Sequence, residues 1–564
     1  MINEWYTKKI ERNKVNSPLI DEIEEYVKSI LNEDIPQITY NSYLKFYKNG
    51  VRKDFEDIYF KKRKQLTALG LYLQWNDSKK AVEYFNELLW SISNEFSWCL
   101  AAHLDYDDNG FCNHPSKTID LFSAETAQTL SEILLIHNEK IDDILKRHIE
   151  KRIKERILEP FLKEKWEWET ATHNWSAVCA GSIGITALLQ EKGEIQKQII
   201  DRVENALEYY LTGFGNDGVS LEGIGYWTYG FGYYIYYKAL KGESIYKDMN
   251  KVIAIANFPE AVQISENTFV PFSDVTQSMI LPSGLISYLY EKYKIKLPLI
   301  KKISSFDFDH CYRWAHVSRN LWWTNEKIFN VTLKDEKNYF EEAQWLIIRN
   351  RDLFFAIKGG NNNEPHNHND LGSFILAVKG EVVLTDIGAG PYTADYFGSK
   401  RYRDDHTRSY WHSVPLINGI EQSKTNKNCE VKLDNYENMN VAISINITDS
   451  YNLIKIDECI RRVYYNYFDN ELVINDVISS IDSLVINEGF ISYIKPRITE
   501  EGVISWILKD KTLKLKYDNK KMNLIVEKKS IKNHYNQTSI VYRIALVSMK
   551  RNINFNEKFK FYLI

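Results

Sequence analysis

The spacing of apolar residues changes once along this chain, between about residues 325 and 340, and that change restricts the fold more than any other feature. From about residue 15 to 325 the apolar side chains recur at helical intervals, as in AVEYFNELLWSISNEFSWCL (81–100) and IDLFSAETAQTLSEILLIH (119–137). Further helical stretches fall at 140–165, 175–191, 195–213 and 226–240, with Gly, Asn or Pro where helices should stop. No fixed repeat runs through them, which disfavours a regular solenoid but not a closed ring of paired helices. After about residue 340 the period drops to two, in QWLIIRNRDLFFAIKGG, GSFILAVKGEVVLTDIG and MNVAISINITDSYNLIKIDECIRRVYYNYFDNELVINDVI. Lys379-Gly380 separates two apolar runs as a hairpin turn does. The expectation is an α+β multidomain chain, helical over 1–325 and built of stacked antiparallel sheets over 326–564.

Charge and composition remove several function classes. Seventy-six acids face 72 bases over 564 residues, and no Lys/Arg block is long enough to hold a polyanionic backbone, so nucleic acid is not expected as a partner. The six cysteines, Cys99, Cys112, Cys179, Cys311, Cys429 and Cys459, are scattered and form no CxxC pair, which argues against a disulfide framework or a thiolate metal site. The amino terminus has no apolar run of signal-peptide length, and no later stretch approaches a membrane span, so a cytoplasmic protein away from membranes is expected. Aromatic residues are abundant, 14 Trp, 37 Tyr and 26 Phe, which suits both large cores and sugar-stacking clefts.

Chemistry-bearing residues concentrate in a few segments. His366 and His368 form an i, i+2 pair in EPHNHNDLGSF, and an extended backbone would turn both to one side. Asp386 in VVLTDIGAG and His412 in SYWHSVPLING follow, each beside a strand-like run. Two imidazoles and a carboxylate at His368, Asp386 and His412 have the ligand types of a zinc site, although hairpin register alone does not bring Asp386 to His368. In the helical half His173 and Asn174 precede a helix of small residues, where Asn reads locally as a cap. Tyr226 and Tyr229, three apart in a Gly-rich lead into a helix, should share a face, while Tyr233, Tyr234, Tyr236 and Tyr237 should fill core.

Four segments, HNWSAVCAGSIG, DGVSLEGIGYWTYG, HNHNDLGSFILAVKGEVVLTDIGAGPY and RSYWHSVPLINGIEQ, taken in this order, resemble the heparinase II/III family of polysaccharide lyases. The resemblance runs from about Trp98 into the strands after residue 420, with departures at Ser413-Val414, Ser176 and Ala180. It implies an N-terminal incomplete α/α toroid over 1–325 followed by a C-terminal antiparallel β-sandwich over 326–564. It further implies β-elimination at C4 of a uronic acid, on an acidic oligosaccharide or polysaccharide. Glycosaminoglycan fragments are the expected substrates, alginate oligomers the alternative.

That reaction explains the residue types. The C5 proton is weakly acidic beside a charged carboxylate, so the site must donate hydrogen bonds to that carboxylate, remove the proton and protonate the departing O4. By resemblance Asn174, with His173 beside it, matches the neutralising position, His366 the catalytic histidine, and Tyr226 in preference to Tyr229 the catalytic tyrosine. His368, Asp386 and His412 match a structural zinc site, and Trp175, Glu222, Tyr392 and Arg408 are candidate substrate contacts. Readings of other classes are a toroid glycoside hydrolase using Asp217 and Glu222, a metal-dependent oxygenase, and a noncatalytic sugar-binding protein.

Overall fold

A computed structural model describes residues 6, 9–107, 110–111, 114–242, 248–276, 278–436, 439–452 and 455–564. The chain separates into two compact units, one made of Met1–Phe214, Tyr226–Ala256 and Ile280–Val331, the other of Gly215–Gly225, Asn257–Met279 and Thr332–Ile564. The short segments 215–225 and 257–279 thus belong with the sheets although they interrupt the helical run in sequence.

The first unit is helical, as the period required. At its centre α1 (Leu121–Ile136) packs against α2 (Asn174–Gln190), which in turn packs against α3 (Gly193–Thr212) and α4 (Gly232–Lys241). Buried residues follow one another almost without a break along α1 and through Ala187 of α2, the pattern of helices surrounded by other helices, whereas α3 buries only one stripe. The small residues of α2 explain its place. A Cβ on Gly184 would lie 2.5 Å from the Tyr237 ring of α4, so only glycine allows this approach. Tyr233, Tyr234, Tyr236 and Tyr237 are all buried, in agreement with the core role expected of them. The stretch expected at 226–240 is not one α-helix: Ile224–Tyr226 is followed by a π turn over Trp227–Phe231 before α4 begins.

The second unit is built on antiparallel sheets. The first is a meander of β1 (Glu336–Phe340), β2 (Trp345–Arg349), β3 (Leu353–Lys358), β4 (Phe374–Val378) and β5 (Glu381–Leu384). Lys379 and Gly380 turn β4 into β5 with φ of 48° and 82°, the two positive angles that a two-residue hairpin needs. The remaining strands are β6 (Pro415–Ile417), β7 (Glu430–Asn435), β8 (Val441–Asn446), β9 (Glu458–Asn466), β10 (Glu471–Leu484), β11 (Ile486–Ser492) and β12 (Arg497–Glu500). After them come β13 (Val503–Ile507), β14 (Thr512–Lys516), β15 (Met522–Lys532), β16 (Thr538–Ser548) and β17 (Asn552–Leu563). They form an eight-stranded sheet ordered β7-β8-β9-β10-β17-β14-β13-β12 and a four-stranded sheet ordered β6-β11-β16-β15. One continuous core joins the three, with Leu346, Ile474, Phe490, Ile544 and Phe559 among its members.

Among the described residues no helix is long and apolar enough to cross a membrane. Cys99, Cys179, Cys311, Cys429 and Cys459 are buried free thiols, and Cys112 lies outside the described residues. The shared sheet core should dominate the stability of the second unit. Ile474→Ala, at a fully buried position of β10, is expected to lower unfolding free energy by about 3 kcal/mol in denaturant titration, through lost burial plus the cavity left behind.

Candidate active site

The loop between β3 and β4, residues 359–373, carries the histidine pair and is tied down along its length. Gln422 accepts from Asn362 and from the Leu371 amide through Oε1 (3.1 and 2.8 Å) and donates to the Leu371 carbonyl (2.8 Å). The backbone at His366 is not extended: φ is 55°, a left-handed value that costs a β-carbon residue on the order of 1 kcal/mol. The two imidazoles nevertheless meet one acceptor, the buried carboxylate of Asp274. His366 Nδ1 donates to Asp274 Oδ2 (2.8 Å) and His368 Nε2 to Asp274 Oδ1 (3.1 Å). Arg401 Nη2 also donates to Oδ2 (2.9 Å), and the Tyr396 hydroxyl to Oδ1 (2.5 Å). Burial alone would raise the Asp274 pKa, yet His366, His368 and Arg401 hold it well below the usual carboxylate range. Ser273 Oγ donates to the Leu221 carbonyl (2.9 Å), which anchors the turn bearing Asp274. Gly388 closes over the next residue: a Cβ there would lie 2.1 Å from the Val275 carbonyl oxygen, and its φ is 67°.

On the far side of His368 four groups converge. One ligand-capable atom from each of His368, Asp370, Asp386 and His412 lies within 4.8 Å of the others, and all four side chains are buried. His368 Nδ1, Asp370 Oδ2, Asp386 Oδ2 and His412 Nδ1 have no hydrogen-bond partner outside the cluster, and within it His412 Nδ1 lies 3.2 Å from Asp386 Oδ2. The second polar atom of each residue is occupied elsewhere. His368 Nε2 donates to Asp274, His412 Nε2 donates to the His406 carbonyl (3.0 Å), Asp370 Oδ1 accepts from Lys358 Nζ (2.8 Å) and Asp386 Oδ1 accepts from the Gly388 amide (2.7 Å). Orphaned buried atoms of this kind are costly unless something binds them. Two imidazole nitrogens and two carboxylate oxygens, each oriented by an outer partner, fit a divalent ion with zinc's preferences. Burial lowers the His368 pKa, but Asp386 and Asp274 outweigh it and bring it to about 9.

The three residues expected as ligands therefore lie together, and the cluster includes a fourth residue that the sequence did not single out, Asp370. It sits two residues after His368 in the same motif, so its position was the available signal. Asp386 approaches His368 (3.7 Å) beyond the end of the hairpin, in the loop after β5, not through the strand register. Asp274 and Arg401 were also missed. Asp274 lies 92 residues before His366 in a segment without pattern, and nothing local marks it.

The remaining candidates have these settings. Glu222 Oε1 lies 3.5 Å from His366 Nε2, so it flanks the histidine. Tyr392 packs against Tyr396 (5.4 Å between centroids) and His534 (4.0 Å). Arg408 is engaged by the Glu421 carboxylate through both Nε and Nη2, which leaves less of its charge for a substrate than the sequence reading assumed. Asp217 accepts from the Glu342 and Ala343 amides (both 2.9 Å), a turn-building role.

In the helical unit, α2 begins at Asn174, so the local expectation of an Asn cap is corrected: the N-cap position is His173, without a side-chain cap bond. Asn174 itself is buried at the first helical position. Trp175 packs on His103 (5.0 Å), whose Nδ1 is 2.8 Å from Asp120 Oδ2. A π turn begins between Tyr226 and Tyr229 and alters the angular step there. Both are half-buried, and the Tyr229 ring lies under the Arg313 guanidinium (3.9 Å). Burial and then Glu125 push the Tyr229 pKa well above its ordinary value, so Tyr229 is unsuited to act as a base.

Glu125 gives this cluster a pH dependence. Burial, only partly offset by Arg313 at 3.1 Å, raises its pKa from 4.5 to about 6. A raised carboxyl adds stability that is complete below the unfolded pKa and is lost as pH rises through the folded one, here about 2 kcal/mol between pH 4 and 7. Glu125→Gln should remove that part of the decline when unfolding is followed at several pH values.

Comparison with known proteins follows the same lines. Residues 332–486 match the family model described as heparinase II/III-like, C-terminal. No curated protein matches the sequence. Among solved structures, a heparinase III gene product aligns over 99% of this chain and 85% of its own at 12% identity, with a TM-score of 0.64. The heparan sulfate lyase HepC of Pedobacter heparinus aligns over 100% of this chain and 86% of its own at 11% identity, with a TM-score of 0.61. A mutant chondroitin AC lyase of Streptomyces coelicolor aligns over 99% and 81% at 9% identity, with a TM-score of 0.55. The fold is theirs, and the resemblance is borne out over residues 332–486, a heparinase II/III-like C-terminal domain that contains the third and fourth motifs.

Proposed function

We propose that this chain is a polysaccharide lyase that cleaves uronic-acid-containing glycans by β-elimination, with glycosaminoglycan fragments as substrates. The observation that carries the reading is the state of His366. Its Nδ1 donates to Asp274, so that in the neutral ring the lone pair lies on Nε2, and its side chain is 21% exposed while the Asp274 carboxylate beneath it is fully buried. A partly exposed imidazole backed by a buried carboxylate is the arrangement of a general base. The matched domain, the shared lyase fold and the motif order support the same class.

In this reading Asn174 donates a hydrogen bond to the uronate carboxylate and lowers the cost of charge developing there. His366 Nε2 takes the C5 proton. The electron pair forms the C4–C5 double bond, the C4–O4 bond breaks, and the Tyr226 phenol delivers a proton to O4. Tyr226 needs no lowered pKa as an acid. We assign the helical unit to an incomplete α/α toroid and the sheet unit to a β-sandwich, as the family implies, with 215–225 and 257–279 on the sheet side of the boundary expected at 325. His368, Asp370, Asp386 and His412 would hold zinc, which when bound supplies a fixed cross-link between the His366 loop, the loop after β5 and the segment before β6. Glu222 beside His366 is better placed to orient that histidine or a sugar hydroxyl than to serve in a hydrolase pair, because Asp217 is spent on backbone amides.

Oligomers of heparan sulfate, chondroitin, hyaluronan and alginate offered separately should reveal the substrate through new ultraviolet absorbance from the conjugated double bond. His366→Ala and Tyr226→Phe should each lower kcat by about 100-fold or more, and Tyr229→Phe by no more than about threefold. Absorbance from none of these substrates would contradict the proposal. His412→Ala should release the metal measured by elemental analysis and lower the melting temperature.

A further inference from the structure

We propose that Asp274 is a positioning residue that fixes the tautomers of His366 and His368 together and so makes the presentation of His366 to substrate depend on the order of the metal centre. This rests on the lyase reading for its kinetic consequence, but its structural content stands on the carboxylate alone. Asp274 accepts four hydrogen bonds, two at each oxygen, and its side chain is fully buried. A buried carboxylate can only accept, so each histidine must place a hydrogen on the nitrogen that faces it. For His366 that nitrogen is Nδ1, and the lone pair falls on Nε2. For His368 it is Nε2, so that the hydrogen an ion would displace is the one on Nδ1, the atom that joins Asp370, Asp386 and His412.

The alternative tautomer of either ring would set a lone pair against the carboxylate in a site closed to water, a loss of more than one hydrogen bond. The left-handed backbone at His366 points the same way. Such a conformation persists where the surroundings over-determine it, and the bond from Nδ1 to Asp274 is what holds the ring of this residue in place. Arg401 supports the arrangement from two directions, since its Nη2 donates both to Asp274 Oδ2 and to the Asn367 carbonyl (3.0 Å) between the two histidines. Asp274 thereby links the ring that meets substrate with the ring that meets metal, without contacting either ligand itself. An ion that fixes His368 fixes Asp274, and through it the direction of His366.

The test uses Asp274→Asn in the full chain. One amide oxygen replaces two carboxylate oxygens, and the amide nitrogen now opposes a histidine N–H. Protein labelled with nitrogen-15 at histidine should show a hydrogen-bonded Nδ1 proton for His366, assigned by its absence in His366→Ala. In Asp274→Asn that signal should disappear while metal per chain stays as in the wild type. On the active oligosaccharide kcat should fall about 100-fold with KM within about threefold. Tyr396→Phe, which removes one donor from the same carboxylate, guards against a fold defect and should lower kcat by several-fold with the His366 signal kept. Two results would overturn the inference: Asp274→Asn retaining the His366 signal and wild-type kcat, or a loss of kcat that excess zinc restores, which would give Asp274 a role in metal retention alone. If the wild type makes no unsaturated product, the lyase reading fails and the nuclear magnetic resonance result still decides the role of Asp274.

Discussion

A carboxylate taken out of water must be satisfied by the protein, and around Asp274 that requirement organises the sheet unit's chemistry. Desolvation opposes the charge, so the fold supplies an arginine, a tyrosine and two histidines to keep it. Each donor comes from a different position along a long stretch of chain, and the turn that carries Asp274 is held by Ser273 below and by Gly388 above. The histidines gain defined tautomers in return. What reads in sequence as a simple His-x-His pair is, in space, two rings bonded to the two oxygens of one acid.

The four-residue cluster beyond His368 follows the same logic in reverse. There the polar atoms that point outward are all occupied and the four that point inward are not. Without a ligand these atoms have only one another, with His412 Nδ1 3.2 Å from Asp386 Oδ2, as partners in a site closed to other donors and acceptors. Charge is balanced as well: Lys358 offsets Asp370, so a divalent ion would face two imidazoles and two carboxylates rather than an excess of acid. The helical unit contributes the opposite kind of environment. Glu125, Arg313 and Tyr229 are packed so tightly that the phenol is driven away from ionisation.

Much of this was legible in the residues. The switch of hydrophobic period places the helices and strands because burial on one face repeats every 3.6 or 2 positions, and the Lys379-Gly380 turn follows from its need for positive φ. His368, Asp386 and His412 were legible as a cluster by residue type and motif, although hairpin register gave no reason for Asp386 to approach. Asp370 was overlooked beside them. Asp274 and Arg401 were not legible at all, since contacts over 92 and 127 residues in sequence leave no local pattern. The π turn between Tyr226 and Tyr229 was hidden too, because a one-residue change of helical pitch has no compositional mark.

The most direct test of the central claim is how the glycosidic bond breaks. The purified chain, incubated with the glycosaminoglycan oligomer it degrades in water enriched in oxygen-18, yields products whose mass shows whether water entered the bond. The account requires unsaturated fragments without label, whose masses sum to that of the substrate. Fragments that carry the heavy oxygen at the cleaved position, with no double bond, would show hydrolysis and contradict it.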